Sequence, residues 1–390
     1  MTVHAPPPVA PPERDELEAL IREARARQQR RRRLLTLAVV VLAAAAIPFL
    51  YVGLRGNASA SASHDRPGSR NGASAGATVV PKEPAGLAIA ANGDLLVIDD
   101  DRNQILERLP DGAFRVFAGT GKLGFSGDGG PAVDAELSRP SALAVGADGS
   151  VYVADTGNNR VRRIAPDGTI GTIAGNGKHG WVRGGEPALS APVESPDALA
   201  FDRRGRLYVT AGGYGEVLRL NGDGTLTRIA GVRGPEGVWG LGRRAAAVSV
   251  DGADGLAFDR AGDLYLAGFN TKTLLMVDRH GIMRAPLGTG TGFYPRGPGG
   301  LVTDPGGHVI AMDTQRIVEL GRHAERTLYN FDGKKVAHVR NFLPDGLAVS
   351  RHGVVYTDTF YGNGWASGSA ILELDIVRGQ ARILWSHHGS

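Results

Sequence analysis

Residues 140–177 read PSALAVGADGSVYVADTGNNRVRRIAPDGTIGTIAGNG and contain four short apolar runs separated by turn signals. The runs are 143–145, 151–154, 161–164 and 170–174. Asp148-Gly149 and Asp167-Gly168 lie between runs, and Asp-Gly pairs favour tight hairpins because those turns require a positive φ. The segment is therefore predicted to form four antiparallel strands.

The same pattern recurs six times along the chain, and this repetition decides the architecture. The copies begin at Pro84, Pro140, Pro196, Ala253, Pro298 and Pro344, and the first three are 56 residues apart. One four-stranded sheet of this size cannot bury both of its faces, whereas six sheets arranged radially bury each face on a neighbour. The sequence therefore predicts an all-β, six-bladed β-propeller with four-stranded blades over residues 84–390.

The region around the second copy resembles NHL-repeat propellers. The residues that carry the resemblance are Gly127 to Ala132, Pro140, Tyr152, Ala154, Asp155, Asn158, Asn159, Arg160, Val161, Ile164, Ala174 and Gly175. This resemblance implies the propeller fold. Propellers host many functions, so the activity has to be argued from the site.

The first 83 residues are predicted to anchor the propeller to a plasma membrane. Residues 1–33 form a Pro-rich, basic cytoplasmic tail with a short helix, and residues 34–54 are an uncharged run long enough to span a bilayer as a single transmembrane helix. Residues 55–83 are a flexible Gly/Ser/Ala linker. Four consecutive arginines, 30–33, place the amino terminus in the cytoplasm and the propeller outside. The alternative is a signal peptide cleaved near Ala58-Ser59-Ala60; the lengths of the basic and apolar segments favour an uncleaved signal anchor.

Composition and motif context exclude several kinds of site. The chain has no cysteine, which removes disulfides, iron–sulfur clusters and thiolate zinc sites. The net charge of +4 comes mostly from the tail, so no nucleic-acid partner is predicted. The G-x-G-x-x-G strings at 119–124 and 175–180 follow a repeat's last strand without a helix behind them, so no nucleotide site is predicted.

A candidate metal site arises from one column of the repeat. The second residue of each copy starts the innermost strand, near the mouth of the central channel. Around the ring this column reads Ala85, Ser141, Asp197, Asp254, Gly299 and Asp345. Converging carboxylates repel unless a cation lies between them, so Asp197, Asp254 and Asp345 are predicted to bind Ca²⁺ or another hard divalent ion. The alternative is that each Asp caps its own turn or pairs with a neighbouring blade.

The same column carries a second resemblance. Asp-Gly-Leu-Ala at 254–257 and again at 345–348 is similar to the inner strands of gluconolactonase-like propellers. That resemblance implies a calcium or similar ion at the channel mouth.

Another polar cluster, Asp155, Asn158, Asn159 and Arg160, is predicted to stabilise a turn rather than to bind a ligand. Asp and Asn side chains accept hydrogen bonds from loop backbone, and the arginine is expected to pair with the aspartate of the same or of an adjacent blade.

Two functions are consistent with these features. The first is a membrane-tethered extracytoplasmic binding, sensing or scaffold module whose rim of loops meets a protein, peptide or glycan; a resemblance to the extracellular sensors of some bacterial membrane kinases supports it. The second is a divalent-metal-dependent hydrolase of small esters or lactones. The sequence contains no H-E-x-x-H, and its G-x-S-x-G string at 72–76 lies in the Gly/Ser/Ala linker, so neither a zincin nor a serine hydrolase is supported.

Overall fold

The computed structural model describes residues 79–390 except 212–214, 233–239, 251, 269–272, 287–299, 313–315, 322–323, 332–341, 363–366, 376–379 and 389–390. Within these ranges the chain forms six four-stranded antiparallel sheets, each made of four consecutive strands. The predicted all-β propeller with six four-stranded blades is confirmed.

The strands are, for blade 1, β1 Pro84–Ile89, β2 Leu95–Asp99, β3 Gln104–Arg108 and β4 Phe114–Ala118; for blade 2, β5 Pro140–Val145, β6 Val151–Asp155, β7 Arg160–Ile164 and β8 Ile170–Ala174; for blade 3, β9 Pro196–Phe201, β10 Leu207–Ala211, β11 Glu216–Leu220 and β12 Leu226–Ala230; for blade 4, β13 Ala253–Phe258, β14 Leu264–Gly268, β15 Thr273–Val277 and β16 Met283–Arg284; for blade 5, β17 Leu301–Thr303, β18 Val309–Met312, β19 Arg316–Leu320 and β20 Glu325–Asn330; and for blade 6, β21 Phe342–Val349, β22 Val355–Gly362, β23 Ser367–Asp375 and β24 Gln380–His388.

The hairpin turns of blade 2 form for the reason that the sequence suggests. Gly149 and Gly168 have φ values of 80° and 86°, a region that residues with a Cβ rarely adopt. In each turn the preceding aspartate accepts a hydrogen bond from the backbone N–H two residues later, which fixes the turn.

Packing between adjacent blades closes the ring. The first strand of every blade contacts the first strands of both neighbours, and β21 of blade 6 contacts β1 of blade 1. Successive side chains of β23 point to opposite faces of blade 6 and therefore contact different neighbouring blades. Ile371 packs with Leu87 and Val97 of blade 1, whereas Leu372 packs with Met312 of blade 5. Closure of the ring therefore rests on apolar side chains.

The segments between blades wrap the outer edge of the blade that follows. Pro131, Pro187 and Arg244 form isolated β-bridges with the outer hairpins of blades 2, 3 and 4. Val79 pairs in the same way with Phe114 of blade 1. Residues 79–83, which composition assigns to the linker, are therefore part of the propeller.

Asparagine side chains hold neighbouring blades in register. Asn103 Oδ1 accepts a hydrogen bond from Arg139 N at 2.7 Å, and Asn159 Oδ1 accepts one from Ser195 N at 2.8 Å. All four residues have φ between 43° and 51°, so each of these contacts joins two left-handed backbone positions. Asn tolerates this conformation better than most residues. The predicted structural role of Asn159 is confirmed.

Among the described residues, no helix combines the length and the apolar character that a bilayer crossing requires. The predicted cytoplasmic tail (1–33), the predicted transmembrane span (34–54) and the predicted linker up to residue 78 lie outside the described residues.

Candidate functional site: the channel mouth and the rim

Four residues of the predicted metal column are the second residues of their innermost strands, as expected: Ala85, Ser141, Asp197 and Asp254. Asp345 is the fourth residue of β21, and Gly299 lies outside the described residues. Each of β1, β5, β9, β13 and β21 contains one extra residue relative to its partner strand at this point. The irregularity spans Ala85, Ser141, Asp197, Asp254 and Asp345. We call the end of the channel where the innermost strands begin the upper face, and the opposite end the lower face. Bulges are common at barrel rims and beside active sites, where they redirect side chains.

The structure describes the three carboxylates of the column unequally. The Asp197 side chain is half-buried, and its backbone carbonyl accepts a hydrogen bond from Ser141 Oγ at 3.3 Å. For Asp254 and Asp345 the strand position is described but the side chain is not. Among the described side chains, no group of three or more His, Asp or Glu residues is placed to hold a metal ion. A divalent ion at Asp197, Asp254 and Asp345 stays a prediction.

Below its mouth, the central channel is lined by the innermost strands. A cavity of about 340 Å³ is lined by inner strands from all six blades, including Ile89, Val145, Phe201 and Val349. Ser141 contributes a hydroxyl near the upper end, where it lies 2.6 Å from Thr156 Oγ1. The channel wall therefore combines apolar side chains with polar backbone and hydroxyl groups.

The upper face carries an aromatic side chain packed on two arginines, which we call the blade 2 rim cluster (Leu123, Phe125, Arg160 and Arg162). The Arg160 and Arg162 guanidinium carbons lie 3.8 and 4.9 Å from the centre of the Phe125 ring. Phe125 is 40% exposed and Leu123 is 66% exposed. Cation–π contact fixes the ring while leaving much of it open to solvent.

Arg162 is fully buried beneath this ring and is held by two carboxylates. Its Nη2 donates to Asp128 Oδ1 at 2.7 Å, and its Nη1 lies 3.4 Å from Asp155 Oδ2. Burial raises the pKa of Asp155, while hydrogen bonds from Asn158, the Ser138 backbone and Arg162 act in the opposite direction. The buried charges are therefore part of an interconnected network.

The prediction that Arg160 pairs with an aspartate of its own or of an adjacent blade is wrong for the described residues. Arg160 donates instead to the carbonyl oxygens of Asn158 and Asn176, at 2.7 and 3.2 Å. Arg162 is the arginine that reaches Asp155. Asp155 itself accepts from Ser138 N at 2.8 Å, so its predicted role in holding loop backbone is confirmed.

Blade 3 builds the same rim position from different residues. Fifty-six residues after Phe125, Trp181 packs against Arg228, whose guanidinium carbon lies 5.0 Å from the ring. Arg228 is on the outer strand β12, directly across from Leu218, the counterpart of Arg162. Both blades thus place a cation beneath an aromatic ring, but from different strands.

The acid of the blade 3 cluster, Glu216, is buried with incomplete pairing. Its Oε2 accepts from Val182 N at 3.2 Å, and its Oε1 lies 3.9 Å from Arg228 Nη1. Burial raises the pKa of Glu216 to about 7, with Val182 and Arg228 opposing and Glu186 and Glu194 reinforcing this rise. Ionisation of Glu216 therefore opposes folding.

We expect Glu216→Gln to make stability less dependent on pH. The native pKa lies above the unfolded value near 4.5, so the contribution of Glu216 is fully present below pH 4.5 and is lost as the pH rises through about 7. Gln keeps an acceptor for Val182 without the charge. At pH 8 the variant should be more stable than the parent by up to about 3 kcal/mol, and the difference should vanish towards pH 4.5.

Chemical denaturation between pH 5 and 8 measures this difference. Glu83→Gln, at an exposed position, is the matched control and should follow the parent at every pH. A Glu216→Gln variant less stable than the parent at pH 8 would contradict the interpretation.

Sequence reasoning did not identify the rim clusters. Phe125 and Asp128 lie in a loop more than thirty residues before the arginines that they contact. The recurrence of an aromatic residue at 125 and 181, at the repeat spacing, was the signal that could have revealed both clusters.

Comparison with known proteins supports the repeat assignment. Residues 73–165 match the family model of the teneurin NHL domain. Teneurin-4 of Mus musculus is 32% identical over 168 aligned residues, and the alignment covers 37% of this chain but 5% of that protein. SUPPRESSOR OF QUENCHING 1 of Arabidopsis thaliana is 37% identical over 91 residues, 23% of this chain and 8% of that protein. The chain thus spans a small part of the length of these relatives. The predicted resemblance to NHL-repeat propellers is confirmed.

Solved structures with a similar fold include two enzymes. A streptogramin B lyase aligns with a TM-score of 0.49 and 12% identity, covering 72% of this chain and 92% of that chain. A gluconolactonase from Xanthomonas campestris aligns with a TM-score of 0.48 and 17% identity, and the alignment covers 74% of this chain and 85% of that chain. At these scores and identities, neither activity carries over to this chain.

Proposed function

We propose that this chain is a membrane-tethered extracytoplasmic binding module whose upper rim holds a protein, peptide or glycan. The observation that carries the proposal is the blade 2 rim cluster, in which the partly exposed Phe125 ring packs on Arg160 and Arg162 and the exposed Leu123 lies two residues earlier in the same loop. The teneurin NHL match supports a binding or scaffold role.

The chemistry of the rim suits recognition. Aromatic residues and arginines are enriched among the side chains that dominate binding energy. Phe125 already has its ring fixed by Arg160 and Arg162, so less side-chain entropy is lost when a partner covers it. Leu123 extends the apolar contact area beside it. The rim therefore offers a rigid anchor surrounded by polar loop backbone.

Site-specific photocrosslinking in native cells tests the rim. A photoreactive amino acid at position 123 should give a discrete adduct. The same group at Val133, an exposed residue at 45% that belongs to a 3₁₀ turn of the segment wrapping blade 2, should not. Phe125→Asp should remove the adduct at 123. Equal labelling at the two positions would show that the rim has no special partner.

Protease treatment of intact cells tests the tether separately. An external protease should remove residues 56–390 and spare 1–33. Recovery of a free, soluble propeller beginning near residue 61 would show that the apolar run is a cleaved signal peptide.

A second candidate function is a divalent-metal-dependent hydrolase of small esters or lactones, favoured by the bulges at Asp197, Asp254 and Asp345. A bound ion would polarise a substrate carbonyl and help to generate hydroxide. Millimolar calcium should then raise the melting temperature of the parent but not of Asp254→Ala. If calcium does not raise the melting temperature of the parent, the hydrolase is ruled out and the binding module is the remaining candidate.

A further inference from the structure

A second cavity opens on the lower face, opposite the rim. It measures about 430 Å³ and lies between the first hairpin turns of blades 3, 4 and 5. Its walls share Phe201 and Thr303 with the central channel. A volume of this size accommodates a small organic ligand.

Hydrogen bonds between the three blades make this cavity a fixed structure. Arg203 Nη1 donates to the carbonyl oxygen of Arg260 at 2.8 Å, and Arg260 N donates to Gly307 O at 2.7 Å. Thr303 Oγ1 donates to Phe258 O at 2.8 Å. Gly307 has φ of 80°, and a Cβ there would approach Arg260 Cβ to 2.9 Å. The close contact between these two turns therefore requires glycine.

Two carboxylates of the cavity are paired within their own turns. Asp202 accepts from Arg206 Nε at 2.7 Å, and Asp304 Oδ2 lies 3.0 Å from His308 Nδ1. Asp259 Oδ1 accepts from Asp263 N at 2.8 Å. Arg206 offsets the negative charge of Asp202, whereas Asp259 receives a backbone hydrogen bond here.

The arginines, by contrast, keep donors available. Arg203 and Arg260 are exposed, and within the described part of the chain neither forms an ion pair with a carboxylate. A guanidinium has five N–H donors in a planar fork that matches a carboxylate. Arg203 donates one of these N–H groups to Arg260 O. This hydrogen bond holds the other N–H donors of the Arg203 guanidinium at the cavity.

We propose that this lower cavity binds a carboxylated sugar, such as a uronic acid residue of an acidic polysaccharide. Arg203 and Arg260 bind the carboxylate. Phe201, Phe258 and Pro305 provide an apolar wall for the C–H face of the ring, and the Asp259 carboxylate accepts a hydroxyl. The cavity is on the opposite face from the rim, so this assignment does not rest on the proposed rim function.

Calorimetric titration of the purified full-length chain with D-glucuronate, D-glucose and inorganic phosphate tests the proposal. Glucuronate and glucose share a ring and differ in the carboxylate. Glucuronate should bind at least about tenfold more tightly than glucose, and Arg203→Ala or Arg260→Ala should each weaken it at least about tenfold. Both substitutions remove exposed side chains and keep the hydrogen bond from Arg260 N to Gly307 O, whereas Arg203→Ala also removes the hydrogen bond to Arg260 O.

Arg163→Ala is the matched control, because Arg163 is another lower-face arginine but pairs with Asp148 of blade 2. It should bind glucuronate as the parent does, and Arg163→Ala and Arg260→Ala should melt at the parent temperature. Each of the following results would overturn the proposal: no glucuronate binding, equal binding of glucose, or undiminished binding by the Arg203→Ala/Arg260→Ala double variant. Phosphate binding in preference to glucuronate would also overturn it.

Discussion

Ile371→Asp is expected to prevent formation of the native ring. Ile371 is fully buried and is the point at which the last blade packs on Leu87 and Val97 of the first. An aspartate there would lose apolar contacts and place an unpaired carboxylate in the closing interface. Together these effects should cost at least about 4 kcal/mol.

Urea denaturation and near-UV circular dichroism measure the outcome. Leu372→Asp should be comparably severe, because Leu372 faces blade 5 across the other interface. Leu123→Asp is the control, since Leu123 is 66% exposed, and it should change stability by no more than about 0.5 kcal/mol. An Ile371→Asp protein with the parent melting temperature would disprove closure by packing between blades 6 and 1.

Arg162→Leu is expected to cost about 3–5 kcal/mol, because it leaves the buried carboxylate of Asp155 without its cation. The sequence of blade 3 suggests a second substitution that should restore part of the lost stability. The residues equivalent to Asp155 and Arg162 there are Ala211 and Leu218, both fully buried. The double variant Asp155→Ala/Arg162→Leu should therefore be more stable than Arg162→Leu alone.

A double-mutant cycle in urea measures the coupling between the two side chains. Asp155→Ala alone should also be destabilising, since the buried Arg162 would then pair, among the described carboxylates, only with Asp128, which is partly exposed. Additive effects of the two substitutions would mean that Asp155 and Arg162 do not stabilise each other, despite their 3.4 Å separation.

Most of the fold was predictable because it depends on local signals that repeat. The four strands of blade 2 match the apolar runs of the sequence to within a few residues at each end, and the Asp-Gly turns have the positive φ that predicted them. The column of residues at the channel mouth was placed on the innermost strands by the same spacing. The bulge at that column was not predicted, since it depends on register with the second strand.

The contacts of the rim and of the lower cavity depend on chain segments that meet only after folding. Arg162 meets Asp128 from a loop 34 residues earlier, and Arg203 meets Arg260 from the next blade 57 residues later. Spacing along the chain carries no information on which of two nearby arginines, 160 or 162, turns towards Asp155. Turn chemistry was therefore predictable, whereas the partners across loops and blades were not.

Each described blade is a single stretch of chain, with no strand exchanged between the first blade and the last. Each blade can therefore form from a consecutive stretch of chain. Blade 1 is synthesised before blade 6, and the face containing Val97 stays uncovered until Ile371 has been added. A chain interrupted before blade 6 exposes two apolar faces at once, the kind of surface that chaperones and proteases recognise. Ring closure thereby distinguishes chains that contain all six blades from chains that lack the last one.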